Sequence, residues 1–290
     1  MIFDRFWRPS PEKEQKRREL RLEKIKAGKL KRNGLCALCL GGGGARGFAH
    51  VGAIKAFEEA GFEFDIVVGT SVGSLVGALY AGGISADEMM KIGHELDAKA
   101  VHNGNIFKPN DPYKIGKIAT DILGDVTIEQ IYQKTGRKFG AVAVDLVSAS
   151  QEIMTSGKVV DAVSASSCVP LLFKPVETED GKHLVDGGVL NNIPYNVCKM
   201  LGATDVIAVD VNPTRGQGSD KTSTLGVVKA VFGIMCAQSS QEGIRGSDVV
   251  ISVDTSEFSS GSKNGYEEMA KRGYATAKEM LYDVSLHLYK

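Results

Sequence analysis

This chain of 290 residues lacks the features of a disulfide-rich or membrane-spanning protein. Its five cysteines are an odd number scattered along the sequence, which excludes a regular disulfide framework. No apolar run approaches the roughly 18 residues of a spanning helix, and no hydrophobic leader segment follows the initiating methionine. We therefore expect a cytoplasmic protein whose contact with a membrane, where it has one, is peripheral and at the inner surface.

A large excess of charge of either sign is also lacking. The formal net charge is zero, which excludes a chain that is basic along a whole binding face, so nucleic acid is not an expected partner. The charges are nevertheless unevenly distributed. Residues 1–34 carry twelve Lys/Arg and five Asp/Glu, a net +7, and the other 256 residues therefore carry −7. The sequence predicts a basic N-terminal helical arm at 1–34 and a single α/β domain at 35–290.

The arm begins with apolar and aromatic residues at Ile2, Phe3, Phe6 and Trp7, and basic residues follow them. This arrangement is typical of a segment that adsorbs to an anionic bilayer. A solvated helix, or an arm that packs on a neighbouring subunit of a homo-oligomer, fits the same residues. The apolar run 225–237 likewise fits three interpretations: a membrane-facing element, a core helix or a dimer contact.

The sequence also has no convincing cluster of metal ligands. Cys36 and Cys39 form a Cys-x-x-Cys pair, but within a strand residues three apart point to opposite faces of the sheet. We interpret both as small buried hydrophobic residues. A redox or metal-binding role is not expected for this pair.

What the sequence does contain is an alternation of short apolar runs with helix-like stretches. Such alternation predicts a three-layer α/β/α fold around a mostly parallel central sheet. The polar stretch 102–125 is predicted to be a loop, where a lid would naturally sit. Strands are predicted near 35–40, 64–68, 139–146, 151–155, 205–211 and 248–253, and helices near 10–34, 47–61, 71–82, 86–101 and 158–167.

The first strand runs into a glycine-rich turn, Gly42-Gly43-Gly44-Ala45-Arg46-Gly47. Gly42, Gly44 and Gly47 have the spacing of a dinucleotide fingerprint, which also needs an acidic residue at the far end of the second strand. The nearest acid, Asp65, lies at the start of that strand, so this interpretation is disfavoured.

A second interpretation of the turn is an oxyanion loop. Without Cβ groups, the amides of residues 42–44 can approach a substrate oxygen closely and stabilise its developing negative charge. Arg46 then either stabilises the loop, meets an anionic head group or is a plain surface arginine.

The second strand runs into Gly69-Thr70-Ser71-Val72-Gly73, which has the Gly-x-Ser-x-Gly form of a nucleophile elbow. Gly69 and Gly73 would let the strand turn sharply into a helix and leave Ser71 at the tip. In a parallel sheet this turn and the first glycine-rich turn open at the same edge. Together they predict a serine acyl hydrolase.

A nucleophilic serine needs a base. Of the five histidines, only His183 lies near another candidate residue in the sequence, Asp186. Asp186 is the better candidate, because it sits in the turn Asp186-Gly187-Gly188, where Gly187 and Gly188 allow close backbone approach. An ordinary Asx turn fits the same three residues.

Four segments in this order, 42–47, 69–73, 165–170 (Ala-Ser-Ser-Cys-Val-Pro) and 186–188, resemble the patatin-like phospholipases, especially their compact bacterial branch. The similarity extends over roughly residues 35–285. The resemblance implies a Ser–Asp dyad, with Ser71 as nucleophile and Asp186 as base, beside the oxyanion loop of Gly42, Gly43 and Gly44. It implies no metal or organic cofactor and a lipid or acyl-ester substrate. The N-terminal arm is not explained by it.

The sequence thus predicts a serine lipid acyl hydrolase of the phospholipase A, lysophospholipase or esterase type. Two competing hypotheses use the same fold or the same glycines. One is a non-catalytic protein that binds acyl chains or a partner, and the other is a dinucleotide-binding protein.

Overall fold

The structure is a computed structural model that describes residues 10–95, 110–212, 223–258 and 265–290. Within these ranges the chain alternates between strands and helices. The strands are β1 (Cys36–Leu40), β2 (Ile66–Thr70), β3 (Lys138–Asp145), β4 (Ser150–Met154), β5 (Val176–Glu177), β6 (His183–Asp186), β7 (Asp205–Asp210) and β8 (Val249–Ser252). The helices are α1 (Pro11–Lys26), α2 (Phe48–Glu59), α3 (Val72–Ala81), α4 (Ala86–Glu95), α5 (Lys114–Leu123), α6 (Ile128–Thr135), α7 (Val159–Ser166), α8 (Tyr195–Met200), α9 (Thr224–Gly246) and α10 (Tyr266–Leu288).

The strands of the described residues form one mixed sheet in the order β5-β6-β3-β2-β1-β7-β8, with β4 paired to β3. The pairs from β3 through β2, β1 and β7 to β8 are parallel. Strands β4 and β6 run antiparallel to β3, and β5 runs antiparallel to β6. The predicted sheet is therefore confirmed as mostly parallel, with an antiparallel region that the alternation pattern did not reveal.

Both faces of the sheet are covered by helices, which gives the three layers that were predicted. Leu38 and Leu40 of β1 belong to the larger core, with α2, α3 and α10. Ala37 and Cys39 face the other side and pack with α8. Cys36 belongs to the larger core, so Cys36 and Cys39 do lie on opposite faces, and both are free and buried.

The prediction of a polar loop over 102–125 is wrong for the part that the structure describes. Residues 114–123 form α5, whose Ala119 is buried and whose Ile115 and Ile122 pack against the core. The short amphipathic pattern was obscured by the polar residues around it. Residues 102–109 of the segment 102–125, where the lid was predicted, lie outside the described residues, as does the end of the helix predicted at 86–101.

The described part of the N-terminal arm contacts the domain rather than extending from it. Helix α1 packs against α10, and Arg21 donates hydrogen bonds to Ser285 Oγ (2.8 Å) and to the carbonyl of Tyr289 (2.6 Å). Ile25 is buried in the main core. The aromatic residues at the start of the arm lie outside the described residues. None of the described helices is long and apolar enough to cross a membrane.

Candidate active site

Strand register brings three loops together at one edge of the sheet. Leu40 of β1 pairs with Gly69 of β2, so the glycine-rich loop after β1 and the elbow after β2 start side by side. One strand further, Thr70 pairs with Val142, and the next residue, Ala143, pairs with Asp186 of β6. Because β6 is antiparallel to β3, its last residue arrives at the level where β2 ends. The antiparallel strand β6 therefore positions Asp186 near Ser71.

Ser71 has the backbone geometry of a nucleophile elbow. Its φ of 54° and ψ of −129° lie in a region that only glycine adopts easily, and such strain costs about 1–3 kcal/mol and is concentrated at functional sites. The turn is tight. A Cβ on Gly69 would lie 2.2 Å from the carbonyl oxygen of Gly73, and one on Gly73 would lie 2.2 Å from that of Leu40.

The segment 165–170 accepts hydrogen bonds from the backbone amides of both candidate catalytic residues. The Ser71 amide donates to Ser166 Oγ at 2.9 Å, and the Asp186 amide donates to the carbonyl of Cys168 at 3.0 Å. On the other side of the elbow, Thr70 Oγ1 donates to the carbonyl of Asn191 at 2.8 Å. These bonds compensate for the strain at Ser71 and fix its position relative to Asp186.

Asp186 is buried, with 1% of its surface exposed, and Ser71 is 8% exposed. Oδ1 of Asp186 accepts a hydrogen bond from the Gly188 amide at 2.8 Å, which makes Asp186 the N-cap of a 3₁₀ turn over 187–189. Burial raises the pKa of Asp186 to about 6, although interactions with the Ser71 hydroxyl and the Gly188 amide favour the charged form. Oδ2 is buried and has no hydrogen bond of normal geometry among the described residues.

The glycine-rich loop lies against the elbow. A Cβ on Gly42 would come within 3.3 Å of Ser71 Cβ. The Gly42 amide donates to the carbonyl of Asn192 at 3.2 Å, whereas no acceptor for the amides of Gly43 and Gly44 is found in the described part of the chain. Gly44 has φ of +60°, a left-handed conformation that suits glycine. Of the three glycines, Gly43 and Gly44 are thus the ones whose amides are available to donate a hydrogen bond to a substrate oxygen.

Arg46 stabilises this loop. Its Nε and Nη2 donate to the carbonyl of Phe258 at 3.1 and 2.9 Å, and Nη1 hydrogen-bonds Asn212 Oδ1. Burial lowers the pKa of Arg46. Of the roles considered for Arg46, loop stabilisation is the one that these contacts support. Gly47 packs against the elbow, since a Cβ there would lie 2.2 Å from a methyl of Val72.

His183 and His50 do not compete with Asp186 in this geometry. His183 is exposed, three residues before Asp186 on β6, or about 10 Å along the strand. His50 is fully buried beneath the loop, where Nε2 contacts the carbonyl oxygen of Gly41 at 2.7 Å. Burial lowers the pKa of His50 to about 4, so it is neutral at physiological pH and holds the loop in place.

Asp65, the acid considered for a dinucleotide, and the one group with metal-ligand spacing in the described residues both lie away from this edge of the sheet. Asp65 precedes β2, where its carboxylate binds Arg32 at 2.6 Å and accepts from the Cys36 amide. It therefore cannot reach a ribose bound at the glycine-rich loop. In the described residues, one group has metal-ligand spacing: Asp205, Asp248 and His287. Asp205 starts β7, so this group lies at the edge opposite to Ser71, and Lys199 forms a salt bridge with Asp248.

Sequence reasoning missed the support that comes from α9. Ser239 Oγ donates to the carbonyl of Gly188 at 2.7 Å and accepts from the Asn192 amide. Ser240 Oγ accepts from the side-chain amide of Asn192 at 3.0 Å. The Asn191-Asn192 pair after the Asp186 turn was a visible signal, but its partners lie more than forty residues further along the chain.

Comparison with known proteins gives one consistent result. The family model described as patatin-like phospholipase matches residues 38–199. The patatin-like phospholipase domain-containing protein 6 of Mus musculus is 34% identical over 183 residues, which are 60% of this chain and 13% of that protein. An uncharacterized NTE family protein of Mycobacterium tuberculosis is 35% identical over 191 residues, 62% of this chain and 32% of the relative. The chain thus spans a third or less of the length of these relatives.

Solved structures share the fold at low sequence identity. VipD from Legionella pneumophila aligns with a TM-score of 0.62 and 14% identity, over 88% of this chain and 68% of VipD. Human GIVD cytosolic phospholipase A2 in complex with methyl gamma-linolenyl fluorophosphonate aligns with a TM-score of 0.54 and 9% identity, over 94% of this chain and 62% of that one. The family match covers more than half of the chain and includes all four sequence segments, so this protein belongs to the patatin-like phospholipase family.

Proposed function

We propose that this protein is a serine lipid acyl hydrolase that cleaves acyl esters with a Ser71–Asp186 dyad. The observation that carries the proposal is the geometry of Ser71, a strained, non-glycine residue at a strand-to-helix turn that faces a buried carboxylate. Beside it lie two loop amides that have no acceptor in the described residues. A binding protein has no need for this combination of a strained serine, a buried base and available donors.

The first half of the proposed reaction acylates the serine. Ser71 Oγ attacks the ester carbonyl carbon while Oδ2 of Asp186 accepts the hydroxyl proton. The amides of Gly43 and Gly44 bind the resulting oxyanion, and fixed donors of this kind are worth roughly 3 kcal/mol each. The positive end of α3, which starts at Val72, adds to the stabilising field. When the carbonyl reforms, the C–O bond to the alcohol breaks and Asp186 returns the proton to the leaving oxygen.

The second half releases the acyl chain. A water molecule attacks the acyl carbon and gives a proton to Asp186, and the oxyanion again binds the two amides. Collapse breaks the bond to Ser71 Oγ, which takes the proton back, and a free fatty acid leaves. The raised pKa of Asp186 suits both directions of transfer, because a carboxylate with an ordinary pKa is too weak a base.

A fluorophosphonate probe, which phosphonylates activated serines, tests the proposal directly. We expect the wild-type protein to be labelled and both Ser71→Ala and Asp186→Asn to lose the labelling and the ester hydrolysis. The matched control is Ser148→Ala, because Ser148 Oγ also donates to a carboxylate, Oδ2 of Asp145 at 2.6 Å, but lies on an exposed turn. Labelling that persists in Ser71→Ala would contradict Ser71 as the nucleophile, and a folded wild type that is never labelled would favour a non-catalytic binding protein.

Membrane contact through the N-terminal arm is a separate part of the proposal. The aromatic and basic residues of 1–34 suit an anionic bilayer surface. Because Arg21 and Ile25 contact the domain, deletion of the whole arm would also perturb folding. Removal of residues 1–9 alone, followed by flotation with anionic vesicles, is the cleaner test. Unchanged flotation would contradict this role.

A further inference from the structure

Helix α9 differs sharply between its two halves. In the second half, a Cβ on Gly243 would lie 2.1 Å from the carbonyl oxygen of Ile193, and one on Gly246 would lie 2.2 Å from the ring of Tyr195. In the first half, a Cβ on Gly233 would meet no atom within 4 Å. The helix is therefore held against the domain by its second half. Its first half, residues 224–235, projects over a length of about 17 Å.

The projecting half exposes mainly apolar side chains, together with Thr224 and Lys229. Five large hydrophobic side chains there have between 36% and 57% of their surface exposed: Val227, Val228, Val231, Ile234 and Met235. They follow the spacing of adjacent turns of a helix and so form one face. From residue 223 to residue 241 the only charged residue is Lys229, and there is no Asp or Glu. Exposed apolar faces of this kind mark interaction surfaces.

A hydrogen bond connects the helix that bears this face to the candidate active site. Ser239, one helical turn after Met235, donates to the carbonyl of Gly188, in the same turn that Asp186 caps. Leu190, which directly follows that turn, is also exposed, at 47%. The helix that carries the apolar face is therefore bonded to the loop that bears the proposed base, and that loop also exposes an apolar side chain.

We propose that the face of α9 formed by residues 227–235 docks on a phospholipid bilayer and brings the acyl ester to Ser71. This inference rests on the proposed function, since the proposed substrate is a lipid acyl ester. The chemistry of the face favours a membrane. Apolar side chains enter the acyl region to a depth of about 5–10 Å, the lack of acidic residues avoids repulsion from anionic head groups, and Lys229 supplies one attractive charge.

The test is vesicle binding by the full-length chain with Val231→Gln and Ile234→Gln together. Glutamine keeps helix propensity and charge unchanged. The matched control is Met200→Gln with Leu286→Gln, because these residues lie on α8 and α10, outside the N-terminal arm, and are similarly exposed, at 58% and 49%. Sedimentation with vesicles of phosphatidylcholine and phosphatidylglycerol should show at least about tenfold weaker binding for the α9 variant. The control variant should bind like the wild type.

Two further measurements separate this inference from the proposed function. The α9 variant should hydrolyse a soluble short-chain ester with kcat/KM within about twofold of the wild type, which also shows that it is folded. The Ser71→Ala protein should bind vesicles like the wild type, so loss of hydrolysis alone leaves the docking inference standing.

The inference is overturned if the α9 variant binds vesicles as the wild type does, or if the wild type does not bind them at all. It is also overturned if sedimentation velocity without lipid finds a wild-type dimer that the α9 substitutions dissociate while vesicle binding is unchanged, because a second copy would then cover this face.

Discussion

Substitution of Asp186 by Asn should abolish hydrolysis and, at the same time, make the protein more stable. The carboxyl of Asp186 is buried, and its pKa rises from an ordinary 3.8 to about 6 on folding, chiefly because burial penalises the charge. The native state then holds a proton that the unfolded chain has already released between those two pH values. Stability therefore falls as pH rises through this window, by about 3 kcal/mol in total from this group.

An asparagine side chain removes this charge while keeping the shape and the acceptor for the Gly188 amide, which binds Oδ1 at 2.8 Å. The new amide group still has to be buried, so only part of the penalty is recovered. We expect Asp186→Asn to raise the free energy of unfolding by about 1–3 kcal/mol at about pH 8. The difference should fall by about 2–3 kcal/mol between pH 8 and pH 4, where Asp186 is protonated in the native state.

Urea unfolding of both proteins at several pH values measures this difference directly. Asp180→Asn is the control, because Asp180 is largely exposed and its pKa is lowered by Thr178 and Lys182 rather than raised. Removal of that carboxylate should give no gain in stability at high pH. If Asp186→Asn is no more stable than the wild type at about pH 8, or if its advantage does not depend on pH, the buried-charge argument is refuted.

Three further predictions follow from the same site. Protonated Asp186 cannot act as a base, and its pKa is about 6. We therefore expect kcat/KM for an uncharged ester to fall tenfold for each pH unit below that value. A flat profile down to about pH 5 would exclude Asp186 as the base. Gly73→Ala should destabilise the protein by about 3 kcal/mol or more, since its Cβ would press on the Leu40 carbonyl, whereas Gly233→Ala in open space should be neutral or slightly stabilising by thermal unfolding. Ser166→Ala should lower kcat about tenfold with little change in KM, because the Ser71 amide loses its hydrogen-bond acceptor. The control Ser164→Ala should leave kcat unchanged, because Ser164 Oγ has no hydrogen-bond partner among the described residues.

Much of the fold was predictable because short sequence patterns indicate most of its strands and the alternation of strands with helices. Apolar runs bounded by glycine gave β1, β2, β3, β7 and β8 to within a few residues, and alternation with helical stretches gave the layers. The antiparallel strands β5 and β6 were missed because they are two and four residues long. Helix α6 was missed although Thr127 and Gln130 form a capping box, since only two of its residues, Ile128 and Ile131, are buried.

The sequence alone determined the chemistry that is available. Gly-x-Ser-x-Gly after a strand, three consecutive glycines after the preceding strand, and Asp-Gly-Gly later in the chain predict a strained serine, a donor loop and a carboxylate, because each depends on short-range backbone sterics. The same patterns led to the family, which the comparisons confirm.

Only the tertiary structure decided how these parts work together. The pairing of Ala143 with Asp186 brings the carboxylate to Ser71, and burial there raises its pKa. The Gly42 amide donates to the carbonyl of Asn192, a contact that leaves Gly43 and Gly44 as the donors in the proposed mechanism. The packing of the second half of α9 leaves its first half exposed beside the site. Register, burial and long-range hydrogen bonds depend on residues far apart in the chain, and no local pattern encodes them.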